Sequence, residues 1–303
     1  MQKLHLGAAQ CALDLGDGSE RAEYVNQDYI LHKLGRPHRA IGIMYTYYPH
    51  DKQWPQRISK ACKDMNITFQ WDYPYDDYFP FNADGQPWEQ MRDIRRHGQD
   101  AALTLTLDCS LSDDELREIA RMLRPYGRMT IRINHECGGT WFTHNKRFTY
   151  EQVGKFFAHF SDIIHQEAPN VRTVFCAGFA QADGKLEKED EFAVAYRAAD
   201  VWSADCYLAL HYGWPYAVAE VGGGQYKADS VGMYYDMFRR TYERASSQFG
   251  SKPLVTAEFN TDGDVTGPRH QGESVIRFAE AFRDHQADWF KAISLYQFRD
   301  RGR

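Results

Sequence analysis

No apolar run in this chain approaches the length a helix needs to cross a bilayer, so a membrane-spanning segment is not expected. Between Met1 and Leu15 there is no basic segment followed by a long apolar stretch, and no secretory leader is read there. The expectation is a cytoplasmic protein, or a secreted one whose leader has been removed. Cationic excess is missing as well: 36 Lys and Arg face 42 Asp and Glu, a net charge of −6. That balance argues against nucleic acid or an anionic membrane as partner. The six cysteines, Cys11, Cys62, Cys109, Cys137, Cys176 and Cys206, form no C-x-x-C pair. A chain of 303 residues needs no staples, so they read as reduced, small hydrophobes in or beside strands. Gly-x-Ser-x-Gly and Walker sequences are absent, and Gly222-Gly223-Gly224 lacks the strand-to-helix spacing of a phosphate cradle. His135-Glu136 is not a zinc motif, because Gly139 stands where a second histidine would be needed. Neither a metal nor a cofactor is expected.

What the chain does have is regular alternation. Strand-like runs occur at Leu4–Ala9, Ala40–Tyr45, Ile67–Trp71, Ala101–Leu107, Met129–Ile133, Val171–Ala177, Val201–Tyr207, Pro253–Ala257 and Ala292–Phe298. Glycine-rich loop is read after Ala9, and a long loop over Tyr75 to Trp88. Between the strands lie amphipathic helices. Two of them open on capping boxes, Ser112 with Glu115 and Thr149 with Gln152. Behind Thr149, Val153, Phe156, Phe157, Phe160, Ile163 and Ile164 make one broad apolar stripe, the face that packs on a sheet. This pattern predicts a parallel α/β fold, a (β/α)8 TIM barrel in a single domain over residues 1–303. Nine strand candidates exceed the eight of a closed barrel, so either Ile67–Trp71 or Ala101–Leu107 is peripheral.

In a parallel barrel the strands all end on one face, where the active site is built. Glu136 follows the strand Met129–Ile133, and Glu258 ends the strand that starts at Pro253. Either glutamate alone would read as an exposed acid or an ion-pair partner. Two of them at strand ends, each beside aromatic loops, point to glycosidic bond cleavage. That chemistry needs one protonated carboxyl to donate to the leaving oxygen and one ionised carboxylate to attack or to activate water. The 19 Tyr, 18 Phe and 7 Trp are a high aromatic content; rings beyond the needs of a core often line a groove and suit the apolar faces of sugars, while any single ring serves a core equally well.

The stretch Arg132-Ile133-Asn134-His135-Glu136-Cys137-Gly138-Gly139-Thr140-Trp141-Phe142 resembles the acid/base segment of glycoside hydrolase family 26, the β-mannanases, within the clan of retaining (β/α)8-barrel glycosidases. Lys252 to Phe259 resembles that family's nucleophile strand, and Asp205-Cys206-Tyr207 its sixth strand. The likeness covers the C-terminal two thirds. It departs from the family at Gly138, where asparagine is common, and at Asn260, where glycine is. The resemblance implies Glu136 as general acid/base and Glu258 as nucleophile. It implies His135 as a sugar contact, Tyr207 as a hydrogen-bond donor to Glu258, and Trp141 and Phe142 as part of an aromatic platform. Arg132 would pair with buried carboxylate and hold Glu258 charged, with Asp205 in support. Trp71, His211 and Trp214 are further candidates for the sugar groove, and Trp289 for groove or core. The expected activity is a retaining endo-β-glycanase, most simply on β-1,4-mannan. The alternatives are a β-glucanase or β-xylanase of the same fold, or a barrel that binds a β-linked glycan without cleaving it.

Overall fold

The computed structural model describes residues 12–16, 26–35, 38–51, 79–81, 85–139, 147–181, 183–208, 231–260 and 268–295. In chain order the strands are β1 (Ala12–Gly16), β2 (Ala40–Tyr47), β3 (Phe79–Pro80), β4 (Asp100–Leu107), β5 (Met129–Ile133), β6 (Val171–Phe179), β7 (Val201–Tyr207), β8 (Leu254–Asn260) and β9 (Phe290–Leu295). Every pairing is parallel. Because β1 pairs with both β9 and β2, the sheet closes into an eight-stranded ring, β1-β2-β4-β5-β6-β7-β8-β9. The two-residue β3 takes the edge of β2 at Tyr45 and Thr46, beyond the end of β1. Helices α1 (Gln27–Leu34), α2 (Gln86–Arg96), α3 (Asp113–Leu123), α4 (Tyr150–Glu167), α5 (Ala193–Ala198), α6 (Val231–Phe249) and α7 (Pro268–Asp284) return the chain between successive ring strands. This is the (β/α)8 barrel the alternation predicts.

Sequence determines these elements locally. Ser112 accepts from the Glu115 amide while the Glu115 carboxylate accepts from the Ser112 amide, and Thr149 and Gln152 do the same for α4. Each cap satisfies amides that the first helical turn leaves unpaired. The stripe of α4 is buried, and Phe157 meets Phe175 of β6 edge-on with ring centroids 4.7 Å apart. Each fully buried ring of this kind stabilises the fold by about 1.5–3 kcal/mol.

Two expectations change and one alternative is resolved. Ala12–Gly16, read as part of a glycine-rich loop, is a barrel strand: parallel neighbours on both sides hold it despite its short, weakly apolar sequence. The loop read over Tyr75–Trp88 ends in the first turn of α2, where Pro87 costs nothing because its missing amide would have had no helical partner. Between the two candidate third strands, Asp100–Leu107 pairs with β2 along its whole length and with β5, so it is the third ring strand. Leu4–Ala9 and Ile67–Trp71 lie outside the described residues. Counted around the ring, β5 is the fourth strand and β8 the seventh, the positions expected for Glu136 and Glu258.

Candidate active site

The turn that follows β5 is stitched to both neighbouring strands. Asn134 and Glu136 both adopt left-handed backbone, each with φ 50°, a conformation that costs a non-glycine residue energy unless its surroundings hold it. Asn134 is fully buried; its amide donates to the Leu105 carbonyl and its Oδ1 accepts from the Leu107 amide at 2.5 Å. On the other side the Cys137 amide reaches the Cys176 carbonyl, and the Gly138 amide donates to the Ala177 carbonyl at 2.6 Å. The Cys137 thiol donates back to the Asn134 carbonyl. Gly138 has no room for a side chain, since a Cβ there would stand 2.7 Å from both the Ala177 carbonyl oxygen and Glu187 Oε1. Only glycine fits this close approach without displacing its neighbours.

Glu258 reaches the bowl through an irregularity in β8. From Ser203 to Cys206 on β7 is three residues, while their partners Val255 to Phe259 span four. The extra residue is a bulge, and bulges re-aim side chains. Ala257 and Val255 line the barrel interior, so strict alternation would send Glu258 outward. With the bulge, Glu258 turns in and Phe259 turns out, stacking on Phe278 of α7 at 4.4 Å. Side chains from β7 satisfy the backbone there: the Ala257 amide donates to Ser203 Oγ at 2.9 Å and the Glu258 amide to Asp205 Oδ1 at 3.1 Å.

Around the Glu258 carboxylate two donors converge. Arg132 Nη2 lies 2.6 Å from Oε1, and the Tyr207 hydroxyl donates to Oε2 at 2.7 Å. Arg132 itself is held by Thr104 Oγ1 at 3.0 Å and Asp205 Oδ1 at 3.4 Å. Glu258 is 5% exposed, Arg132 4% and Asp205 1%. Burial opposes the arginine charge, but Glu258 and Asp205 outweigh it and keep the guanidinium firmly protonated. For Asp205, burial first and then the neighbouring Glu258 charge push the carboxyl well above its ordinary range. Burial and the Glu258 charge likewise raise the Tyr207 hydroxyl well above its usual value, which keeps it a donor.

One carboxylate oxygen each of Glu136, Asp205 and Glu258 lies within 4.8 Å of the other two. Such a trio could hold a cation, but the Arg132 guanidinium already supplies the positive charge at Glu258, and a divalent ion would have to compete with it. The arrangement instead pairs a braced, charge-compensated Glu258 with a half-buried Glu136 on the turn above β5.

Of the residues singled out by sequence, Arg132, Glu136, Asp205, Tyr207 and Glu258 come together. His135 is 2% exposed, as buried as Asp205 and Arg132, with Nδ1 3.3 Å from Thr106 Oγ1. Trp71, Trp141, Phe142, His211 and Trp214 lie outside the described residues. Trp289 is partly buried and stacks on Tyr242 of α6 at 4.5 Å, packed against the edge of the core. Thr104, Asn134 and Ser203 were not anticipated. Their signal was position alone: Thr104 and Ser203 are polar residues inside runs that otherwise read as apolar strand, and Asn134 directly follows one.

No protein-family model matches the sequence, and no curated protein matches it either. Solved structures do resemble it. A family 26 β-mannanase from Bacteroides ovatus superposes with a TM-score of 0.54 at 10% identity, over 95% of this chain and 80% of that one. A family 39 glycoside hydrolase from the gut symbiont Bacteroides cellulosilyticus gives 0.55 at 9% identity, over 94% of this chain but only 56% of that one. A psychrophilic family 10 endo-β-1,4-xylanase gives 0.51 at 10% identity, over 95% and 86%. What these enzymes share with the chain is the fold, a (β/α)8 barrel.

Proposed function

We propose that the protein is a retaining β-glycoside hydrolase, endo-acting on a β-1,4-linked chain of the mannan type. Glu258 serves as nucleophile and Glu136 as general acid/base. The observation that carries this reading is the approach of Glu136 and Glu258, from the fourth and seventh ring strands, to within 4.8 Å oxygen to oxygen. Retaining glycosidases hold their two carboxyl groups about 5–5.5 Å apart, whereas inverting ones need about 6.5–9.5 Å to admit a water.

In the first step Glu258 attacks the anomeric carbon and forms a glycosyl ester. The glycosidic bond breaks, and Glu136 gives its proton to the departing oxygen. A water then enters, Glu136 takes its proton, and the ester to Glu258 breaks with the anomeric configuration restored. Arg132 and Tyr207 each donate to one oxygen of Glu258 and hold the carboxylate in one orientation. The mannan assignment rests on the resemblance of the segment Arg132–Phe142 and on the likeness of fold to a β-mannanase.

The test is hydrolysis of purified β-mannan, mixed-linkage β-glucan and xylan, with product sizes resolved by chromatography. Mannan cleaved at internal linkages is the expected result, with Glu136→Gln slowed by about 100–10,000-fold as removal of a general acid requires. Preference for xylan or glucan would move the substrate within the same chemistry. No cleavage of any polymer, with binding retained, would make the chain a glycan-binding barrel. Full activity of both Glu136→Gln and Glu258→Gln would remove these residues from the reaction.

A further inference from the structure

Eight-stranded barrels ordinarily fill their interior with layers of bulky branched side chains. This one does not fill its lower half with the described side chains. Beneath the catalytic candidates lies a cavity of about 300 Å³, walled by Gly42, Ala102, Thr130, Val174, Val255 and Ala257. Most of these are small, and the space they leave reaches the smaller end of the range for ligand pockets, about 300–1,000 Å³. Arg132 is its roof, already engaged upward by Glu258 and Asp205.

The mouth of this cavity lies at the amino ends of the strands, opposite the candidate active site. Arg39 precedes β2, Arg128 precedes β5, and Arg172 and Lys291 are the second residues of β6 and β9. Asp100, at the start of β4, is the one carboxylate among the described lining residues, and it is already bridged at 2.8 Å by both Arg95 and Arg128. Arg172 donates to the backbone carbonyls of Pro169 and Val171, and among the described residues neither it nor Lys291 has a carboxylate partner. On a chain with a net charge of −6 this local cationic rim is unusual. An apolar chamber whose rim carries Arg172 and Lys291, with no carboxylate partner among the described residues, has complementary chemistry for one class of molecule: an apolar chain that ends in an anion.

We infer that the amino-terminal end of the barrel is a second binding site, which takes an amphiphilic carboxylate with its chain in the cavity and its head between Arg172 and Lys291. Neither this ligand nor its site involves Glu136 or Glu258.

Calorimetric titration of the full chain with decanoate tests this, with decanol and decylammonium as probes of the same length and different charge. The expected result is saturable, one-site binding of decanoate. Decylammonium and decanol should bind roughly tenfold or more weakly, and Arg172→Glu combined with Lys291→Glu should weaken decanoate by a similar factor. Ala102→Leu, which fills the chamber, should abolish decanoate binding; the rim variant tests the same site without touching the packed interior. Absence of saturable decanoate binding to the folded wild-type chain would overturn the inference. So would equal binding of the three probes, or unchanged decanoate affinity in the rim variant. Glycan hydrolysis stays as in wild type in every case, so this result and the catalytic one can fail separately.

Discussion

Glu258 is a buried carboxylate that remains tolerable because two donors meet it, and each donor makes a different prediction. Arg132→Met leaves the carboxylate without its counter-charge, and breaking a buried pair this way costs about 3–5 kcal/mol. Denaturant unfolding should show that loss. Tyr207→Phe removes one charge-assisted bond, worth about 1.5–3 kcal/mol, and should lower kcat roughly 10–100-fold with little change in KM. Asp205 predicts a pH effect. Its carboxyl is raised in the folded state by burial and by the Glu258 charge, so burying it neutral favours folding at low pH. That contribution is complete below the unfolded value of about 3.9 and is lost as pH rises through the raised folded value. Asp205→Asn keeps an oxygen for the Glu258 amide and removes the titration. Its melting temperature should therefore fall less than that of wild type as pH rises from acid through neutral. Parallel melting curves for the two proteins would refute the assignment. At this scale Arg132, Glu136, Asp205, Tyr207 and Glu258 could be named from motif and strand end, and the family resemblance implied that Arg132 and Tyr207 serve Glu258. No single stretch of chain records that arrangement, because the 2.6 Å contact between Arg132 and Glu258 joins residues 126 positions apart.

Among the elements, helices were the most legible, because capping boxes and a 3.6-residue stripe are local signals, as α3 and α4 show. Strands that depend on neighbours were the least. Ala12–Gly16 carries little apolar pattern of its own and is strand because β9 and β2 pair with it. The bulge in β8 was invisible for the same reason: it is a mismatch of count between two strands, and no single stretch records it. Yet it decides which way Glu258 faces. The turn after β5 is equally specific. Gly138→Ala would press a methyl against the Ala177 carbonyl oxygen at 2.7 Å, which is backbone and cannot swing aside. The expected outcome is a loss of about 1–3 kcal/mol, the usual cost of overpacking. Activity should fall further than stability, because Glu136 rides on the same turn.

For the whole molecule, ring closure is what makes the site. Glu136 and Glu258 belong to elements three ring positions apart, and only a closed barrel brings their oxygens within 4.8 Å. Alternation of strands and helices announced that architecture, although the choice between Ile67–Trp71 and Ala101–Leu107 needed the observed pairing of β4 with β2 and β5. The same closure leaves the lower chamber, which no pattern along the chain foretold because its walls come from seven strands at once.

The most direct measurement of the central claim, the proposed glycan hydrolysis, is the anomeric configuration of the first product, followed by proton NMR. A carboxylate pair this close predicts that freshly released reducing ends appear in the β configuration and only later mutarotate. Reducing ends that appear first as the α anomer would mean inversion, and Glu258 would not be the nucleophile.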